Sequence, residues 1–352
     1  MGVSCHDPSV RPRGRASGPR AAAAHRGMLL ASRYRLLQLV GRGATASVWR
    51  ARDERFEREV AVKQFREPYP HGLDEARLAA RVRHRHVAAV HDVVQHGGSC
   101  YLVMDHHVGA SLAALLRGGR RLPPPIVAAL GLQLLAALEA VHAAGVVHCD
   151  VKPANLLLGD DGRLVLIDFG IAEMSGAEPV HPARRNGEVI GSPAFMAPEL
   201  VGGEAPRSTA DLWSLGATLY TAVEGQPPFL EDDVVPTLTA VLHDPPPPAR
   251  RSGRLEPLLA RLLVKEPAAR PSYETIHALL TDAYPSLPTP PVARPRVLRD
   301  LQTAEPASTP TVPVPVGPAV VTAPYQASRR LRGRGGNCIR PAPPPGSAAE
   351  TR

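Results

Sequence analysis

From residue 34 the hydrophobic positions fall into short runs separated by glycines and charged turns. YRLLQLV (34–40), ASVWRAR (46–52) and EVAVKQF (59–65) follow one another closely, the pattern of an antiparallel meander. LDEARLAARVR (73–83) then places Leu73, Ala76, Leu78 and Val82 at helical spacing. HVAAVHDVVQ (86–95) and CYLVMDH (100–106) return to strand-like runs, so five strands and one helix are expected in a small first lobe.

Past residue 110 the period lengthens. PPPIVAALGLQLLAALEAVHAAG (123–145) opens on prolines, which the first helical turn tolerates, and closes on Gly145, where a helix C-terminus accepts a left-handed residue. Ile126, Leu130, Leu134, Leu138 and Val141 repeat at helical spacing along it and predict a core helix. RLVLIDFG (163–170) reads as a strand after the GDDG turn, residues 171–197 read as irregular, and helices return from TADLWSLGATLYTAVEG through PSYETIHALL (271–280). A β-rich lobe followed by an α-rich lobe leaves a cleft between them, a natural place for a ligand.

Charge changes this picture only at the ends. The net charge is +8, of which residues 1–27 carry +4 and residues 285–352 carry +6, leaving −2 for the patterned body. A basic excess confined to solvated ends argues against nucleic acid as the partner. Residues 285–352 hold 15 prolines in 68 positions, a composition that buries too little apolar surface to fold. The expected organisation is a disordered basic extension over 1–29, a folded body over 30–283 (first lobe 30–105, second lobe 109–283) and a disordered proline-rich basic tail over 284–352. Met28, just before the first patterned segment, is a candidate translation start. The four cysteines are widely spaced and form no CxxC pair, which fits a reducing, cytoplasmic compartment. No apolar run is read as a membrane span.

Chemistry concentrates in four places. GRGATASV (41–48) sits between two strands, where glycine lets backbone N–H groups approach phosphate oxygens; a simple hairpin would use the same glycines. Lys63 is one of only three lysines in the chain, which prefers arginine throughout, and a lysine kept in such a chain hints at a need for a compact ammonium. VVHCDVKPANLLL (146–158) crowds His148, Asp150, Lys152 and Asn155 between apolar runs, and buried polar groups without partners are costly. LIDFG (166–170) sets Asp168 at a strand end, where a carboxylate suits a hard cation or merely caps a turn.

In order, these elements read glycine loop, strand lysine, helix Glu75, H-x-D-x-K-x-x-N, D-F-G and A-P-E. The sequence thereby resembles the eukaryotic-type (Hanks-type) serine/threonine protein kinases, in their bacterial branch. SPAFMAPE (192–199), DLWSLG (211–216), GQPPF (225–229) and KEPAARPS (265–272) carry the resemblance across roughly residues 34–281. It implies an α+β, bilobal kinase fold with a small β-rich N-lobe and a larger α-helical C-lobe. It also implies ATP as phosphoryl donor, Mg²⁺ (with Mn²⁺ as a substitute) as the metal, and protein Ser/Thr hydroxyls as acceptors.

The resemblance assigns roles residue by residue. Lys63, paired with Glu75, would hold the α- and β-phosphates; Asp150 would orient the substrate hydroxyl and Lys152 would stabilise the transferring phosphoryl group. Asn155 and Asp168 would be the metal ligands. Gly41, Arg42, Gly43, Ala44, Thr45 and Ala46 would cover the phosphates. Val48 and Ala61 would lie over the adenine and Leu157 beneath it, with Met104 at the back and the hinge beginning at Asp105. Asp211 would brace the catalytic-loop backbone, and Glu199 would pair with Arg270.

The sequence departs from the family's pattern at Cys149, where most relatives carry an arginine that receives an activation-loop phosphate through charge-assisted hydrogen bonds. Between residues 171 and 190 there is one serine, Ser175, and no threonine or tyrosine. Both halves of that switch are missing together, so an enzyme that does not need activation-loop phosphorylation is expected. Ala46 stands where the third glycine of the loop would be, and Ser192 replaces the usual threonine while keeping the hydroxyl. Two other classes fit the sequence less well: a pseudokinase scaffold, disfavoured because Lys63, Glu75, Asp150, Asn155 and Asp168 are all present, and a small-molecule phosphotransferase, disfavoured by A-P-E, D-x-W-x-x-G and D-F-G. Protein substrate, upstream signal and oligomeric state have no signature in the sequence.

Overall fold

The computed structural model describes residues 24–42, 46–65, 79–168 and 192–285, with strand segments at 173–174, 184–185 and 188–189. Its first part is a six-stranded sheet built from β1 (Leu29–Leu30), β2 (Tyr34–Arg42), β3 (Ala46–Asp53), β4 (Arg58–Phe65), β5 (Val90–His96) and β6 (Ser99–Asp105). The order β1-β2-β3-β4-β6-β5 keeps the expected meander and adds the two-residue β1, which the pattern did not announce. Strand β6, not β5, lies beside β4, so Val60 to Gln64 pair with Asp105 to Tyr101.

Period-two alternation gives the sheet two apolar faces. Leu36, Trp49, Ala51, Val60, Val62, Tyr101 and Val103 pack on one side. Ala46, Phe65, Leu102 and Met104 pack on the other, with Ala61 against them. Of the predicted helix over 73–83, residues up to 78 lie outside the described residues; Ala79 is helical and fully buried.

The predicted strand over 86–95 is shorter than expected at its start, because residues 86–88 bond to the second lobe instead of to the sheet. Val87 makes a parallel bridge with Leu166, the Ala88 N–H donates to the Leu166 carbonyl at 2.9 Å, and His86 Nδ1 lies 2.8 Å from the Leu164 carbonyl. The strand predicted at 163–170 is likewise only β10 (Leu164–Leu166), antiparallel to β9 (Leu156–Leu158), which also pairs with β7 (Ala110–Ser111).

Helices make the rest: α1 (Leu112–Leu115), α2 (Pro124–Ala143), α3 (Pro198–Gly202), α4 (Ser208–Glu224), α5 (Val234–His243), α6 (Glu256–Leu262) and α7 (Tyr273–Ala283). The second helix runs as its prolines and Gly145 (φ 75°) predict, with the Gly145 N–H bonded to the His142 carbonyl at 2.9 Å. By length and composition alone it is long and apolar enough to cross a membrane, a character it shares with buried core helices. Most of it is buried in the core, where Leu130, Leu134, Leu138 and Val141 pack among the other helices.

Close helix packing depends on two glycines. A Cβ on Gly131 would stand 3.0 Å from a Leu280 methyl and 3.3 Å from Leu219, and one on Gly216 would stand 2.7 Å from Leu262 Cβ. Buried Gln133 turns the core helix into a support for the cleft. Its Nε2 donates to the Gly162 carbonyl and its Oε1 accepts from the Leu164 N–H, clamping the β9–β10 turn.

Candidate active site

Strand register assembles the roof of the cleft. Val48 lies opposite Gly41 on one side and Lys63 on the other, Lys63 lies opposite Leu102, and Ala61 lies opposite Met104. Directly opposed residues of antiparallel strands share a face, and so do residues two apart. Val48, Ala61, Lys63, Leu102 and Met104 therefore line one side of the sheet. Gly41 and Arg42 end β2 in solvent and Ala46 begins β3; Gly43, Ala44 and Thr45 lie outside the described residues, as does Glu75. At the rear, the Asp105 carboxylate accepts from the Ala89 N–H at 3.2 Å and meets His91 Nε2 at 2.7 Å, which fixes the start of the hinge. Leu157, half-buried in β9 opposite Val165, comes from the second lobe.

Lys63 is largely buried, and its Nζ lies 3.2 Å from Asp168 Oδ1. Asp168 has a left-handed backbone (φ 56°), a conformation in which aspartate and asparagine are the commonest non-glycine residues. Just before it, the Ile167 N–H bonds to the Asn155 carbonyl at 2.9 Å, tying this segment to the catalytic loop.

The loop between β8 (Val146–Val147) and β9 draws three predicted residues together. Lys152 Nζ lies 2.8 Å from Asp150, and Asn155 Nδ2 donates to both the Asp150 carbonyl (2.9 Å) and its Oδ2 (2.8 Å). Asp150 thus presents a carboxylate with an adjacent cation and a fixed orientation. Because the Asn155 amide nitrogen is engaged, its Oδ1 is the atom it can offer a cation. With the Asp168 carboxylate this makes a sparse set of hard oxygen donors, which suits an ion that retains waters and phosphate oxygens.

Behind the loop sits a fully buried carboxylate. Asp211, in the first turn of α4, accepts the His148 N–H at 2.8 Å and the Cys149 N–H at 2.9 Å, and His142 Nε2 lies 2.7 Å from it. Burial pushes its carboxyl pKa up, but His142 and the loop N–H groups more than offset this and hold it below the usual range. His148 is fully buried, and burial pushes its pKa down, so its ring is neutral.

A scan for families matches the protein kinase domain over residues 34–284. The chain belongs to the protein kinase family. It is 34% identical to serine/threonine-protein kinase PknA of Mycobacterium tuberculosis over 289 residues, covering 76% of this chain and 66% of that one. It is 33% identical to a probable serine/threonine-protein kinase of Streptomyces coelicolor over 281 residues, covering 75% of this chain and 41% of the relative. Serine/threonine-protein kinase PknD of M. tuberculosis is 35% identical over 248 residues, 68% of this chain and 37% of its own. The chain thus spans slightly under two thirds of the length of PknA and under half of the other two. These relatives place it in the bacterial serine/threonine branch of the family, whose bilobal fold the structure shares.

Two further features of this kinase domain lie beside the loop and in its frame. Cys149, at a left-handed φ of 61°, points its thiol toward the Val147 carbonyl at 3.8 Å and borders a shallow pocket with Asp150, Val151, Ser192, Phe195, Met196 and Ser214. Glu199 and Arg270 form a bidentate buried pair at 2.6 and 2.8 Å. Sequence reasoning did not find His142 or Tyr273, which meet behind Asp211; they stand 131 positions apart and no spacing rule connects them.

Proposed function

We propose that this chain is an ATP-dependent protein serine/threonine kinase whose transfer centre is Asp150, Lys152, Asn155, Asp168 and Lys63. The observation that carries this reading is the Lys63–Asp168 contact of 3.2 Å, which ties the sheet to the segment after the catalytic loop across the cleft. Asp150 accepts the proton of a substrate Ser or Thr hydroxyl as the oxygen attacks the γ-phosphorus, and the bond to the β–γ bridging oxygen breaks to release ADP. Lys152, already beside Asp150, neutralises charge on the passing phosphoryl group, and Lys63 on the sheet steadies the remaining phosphates. Asn155 and Asp168 would hold Mg²⁺, or Mn²⁺, which when bound offsets the triphosphate charge. Glu75 would orient Lys63. Val48, Ala61, Met104 and Leu157 would enclose the adenine, and the 41–46 loop would lie over the phosphates.

The same reading holds that the enzyme works without activation-loop phosphorylation. The Cys149 thiol carries no fixed positive charge with which to hold a phosphate, and Ser175 is the one hydroxyl residue between 171 and 190. The test is transfer from radiolabelled ATP with Mg²⁺ to itself and to a generic basic protein, beside Asp150→Asn and Lys63→Met. Loss of a transition-state donor is expected to lower the rate on the order of 10²–10³-fold. Wild-type transfer retained after phosphatase treatment supports the unswitched enzyme. ATP binding without any transfer would instead favour a scaffold.

A further inference from the structure

The Asp211 carboxylate holds the catalytic loop by its main chain, so whatever orients Asp211 also orients Asp150. One of its partners, His142 Nε2, belongs to a ring whose side chain is only 10% exposed, in the last turn of α2. The other ring nitrogen, Nδ1, is hydrogen-bonded to the hydroxyl of Tyr273, the first residue of α7, with the two rings edge to face at 5.9 Å and 72°. An imidazole nitrogen against a carboxylate has to carry a hydrogen, and in the neutral ring that leaves the opposite nitrogen bare. The Tyr273 hydroxyl supplies the hydrogen that a bare Nδ1 accepts. Burial, then the negative charges of Asp211 and Glu139, push the Tyr273 pKa well above the usual tyrosine range, so the group stays a donor.

We infer that Tyr273 is a positioning residue for phosphoryl transfer: by donating to His142 Nδ1 it keeps the hydrogen on Nε2, where Asp211 needs it to hold the His148 and Cys149 N–H groups. The inference rests on the kinase reading above. Without that donor the ring can place its hydrogen on Nδ1 and turn a lone pair toward Asp211. The carboxylate then shifts, and the left-handed turn at Cys149, which a non-glycine residue adopts only when held, loosens directly before Asp150.

The test uses the full chain and Tyr273→Phe, which keeps the ring and removes the hydroxyl. Expected are a kcat lower by roughly fivefold, comparable to one lost hydrogen bond, with KM for ATP unchanged. The ¹⁵N signals of the His142 ring should move from the Nε2–H pattern toward a tautomer mixture. In a His142→Asn background, where an amide N–H can serve Asp211 without help, Tyr273→Phe should cost nothing further. An unchanged His142 spectrum in Tyr273→Phe overturns the inference, whether kcat stays the same or falls together with stability. Absence of transfer by the wild type would instead sink the kinase reading, and the ring spectrum still decides the role of Tyr273.

Discussion

The Cys149 N–H donates to Asp211 Oδ1 at 2.9 Å, while the adjacent His148 N–H donates to Oδ2 at 2.8 Å. One buried carboxylate therefore straddles two successive peptide groups and holds the loop by its backbone at His148 and Cys149. The thiol itself is directed at the Val147 carbonyl, 3.8 Å away.

Removing this brace should be costly. Asp211→Ala leaves two buried N–H groups and His142 without their acceptor, and a loss of about 3–5 kcal/mol is expected, as for breaking a buried charged network. Urea unfolding measures it. A loss below about 1 kcal/mol would mean that water replaces the carboxylate.

The Glu199–Arg270 pair is a second buried bracket. Arg270 also donates to the carbonyls of Val264, Thr209 and Lys265, so one guanidinium gathers several segments of the C-lobe. Arg270→Ala should destabilise by about 3–5 kcal/mol, and the double variant with Glu199→Ala should be clearly less damaging than the sum of the single variants. Additive losses in that cycle would contradict the pairing.

Helix spacing sets a third expectation. Gly216→Ala brings a methyl 2.7 Å from Leu262 Cβ and should cost about 1–3 kcal/mol through overpacking. Gly202→Ala, with nothing within 4 Å of its new methyl, should be neutral or stabilising by up to about 1 kcal/mol. Thermal melts of the two variants side by side decide it.

Acid should weaken the fold before its carboxylates titrate. His148, His86 and His107 are each shifted below the usual histidine pKa, chiefly by burial. The unfolded chain takes up protons near its ordinary pKa of about 6.5 while the native state resists them, so stability falls as pH drops below that point. The Asp211 contribution is lost only later, at pH values below the ordinary carboxylate range. Urea midpoints between pH 7.5 and 5 should fall steadily; a flat profile would show that these rings are hydrated.

Lys265 predicts the opposite limb. Its ammonium lies over Phe229 at 4.0 Å and Trp213 at 5.0 Å and donates to the Val241 carbonyl at 2.5 Å, yet burial pushes its pKa down to about 8. Asp244 favours the charge and Arg270 opposes it. A base with a lowered pKa leaves the unfolded state holding more protons between about 8 and the ordinary lysine value, so stability rises with pH across that window. The stability difference between wild type and Lys265→Met should move in favour of wild type from pH 7.5 to 9.5.

Features that depend on near neighbours are legible along the chain. Alternation from Tyr34 to Phe65 marked three strands, prolines and Gly145 bracketed the core helix, and the catalytic loop placed Asp150, Lys152 and Asn155 close enough for its own backbone to bring them together. The family motifs added the long-range Glu199–Arg270 pairing, which local pattern alone does not contain. Tertiary structure decided the rest. It chose β6 over β5 as the neighbour of β4, and it drew residues 86–88 away from the sheet onto Leu164 and Leu166. It also placed His142 against Asp211, 69 positions along the chain, and Tyr273 against His142, 131 positions along. Such contacts leave no periodic trace, because they arise where α2, α4 and α7 meet around a shared core, and that meeting is set by how whole helices pack.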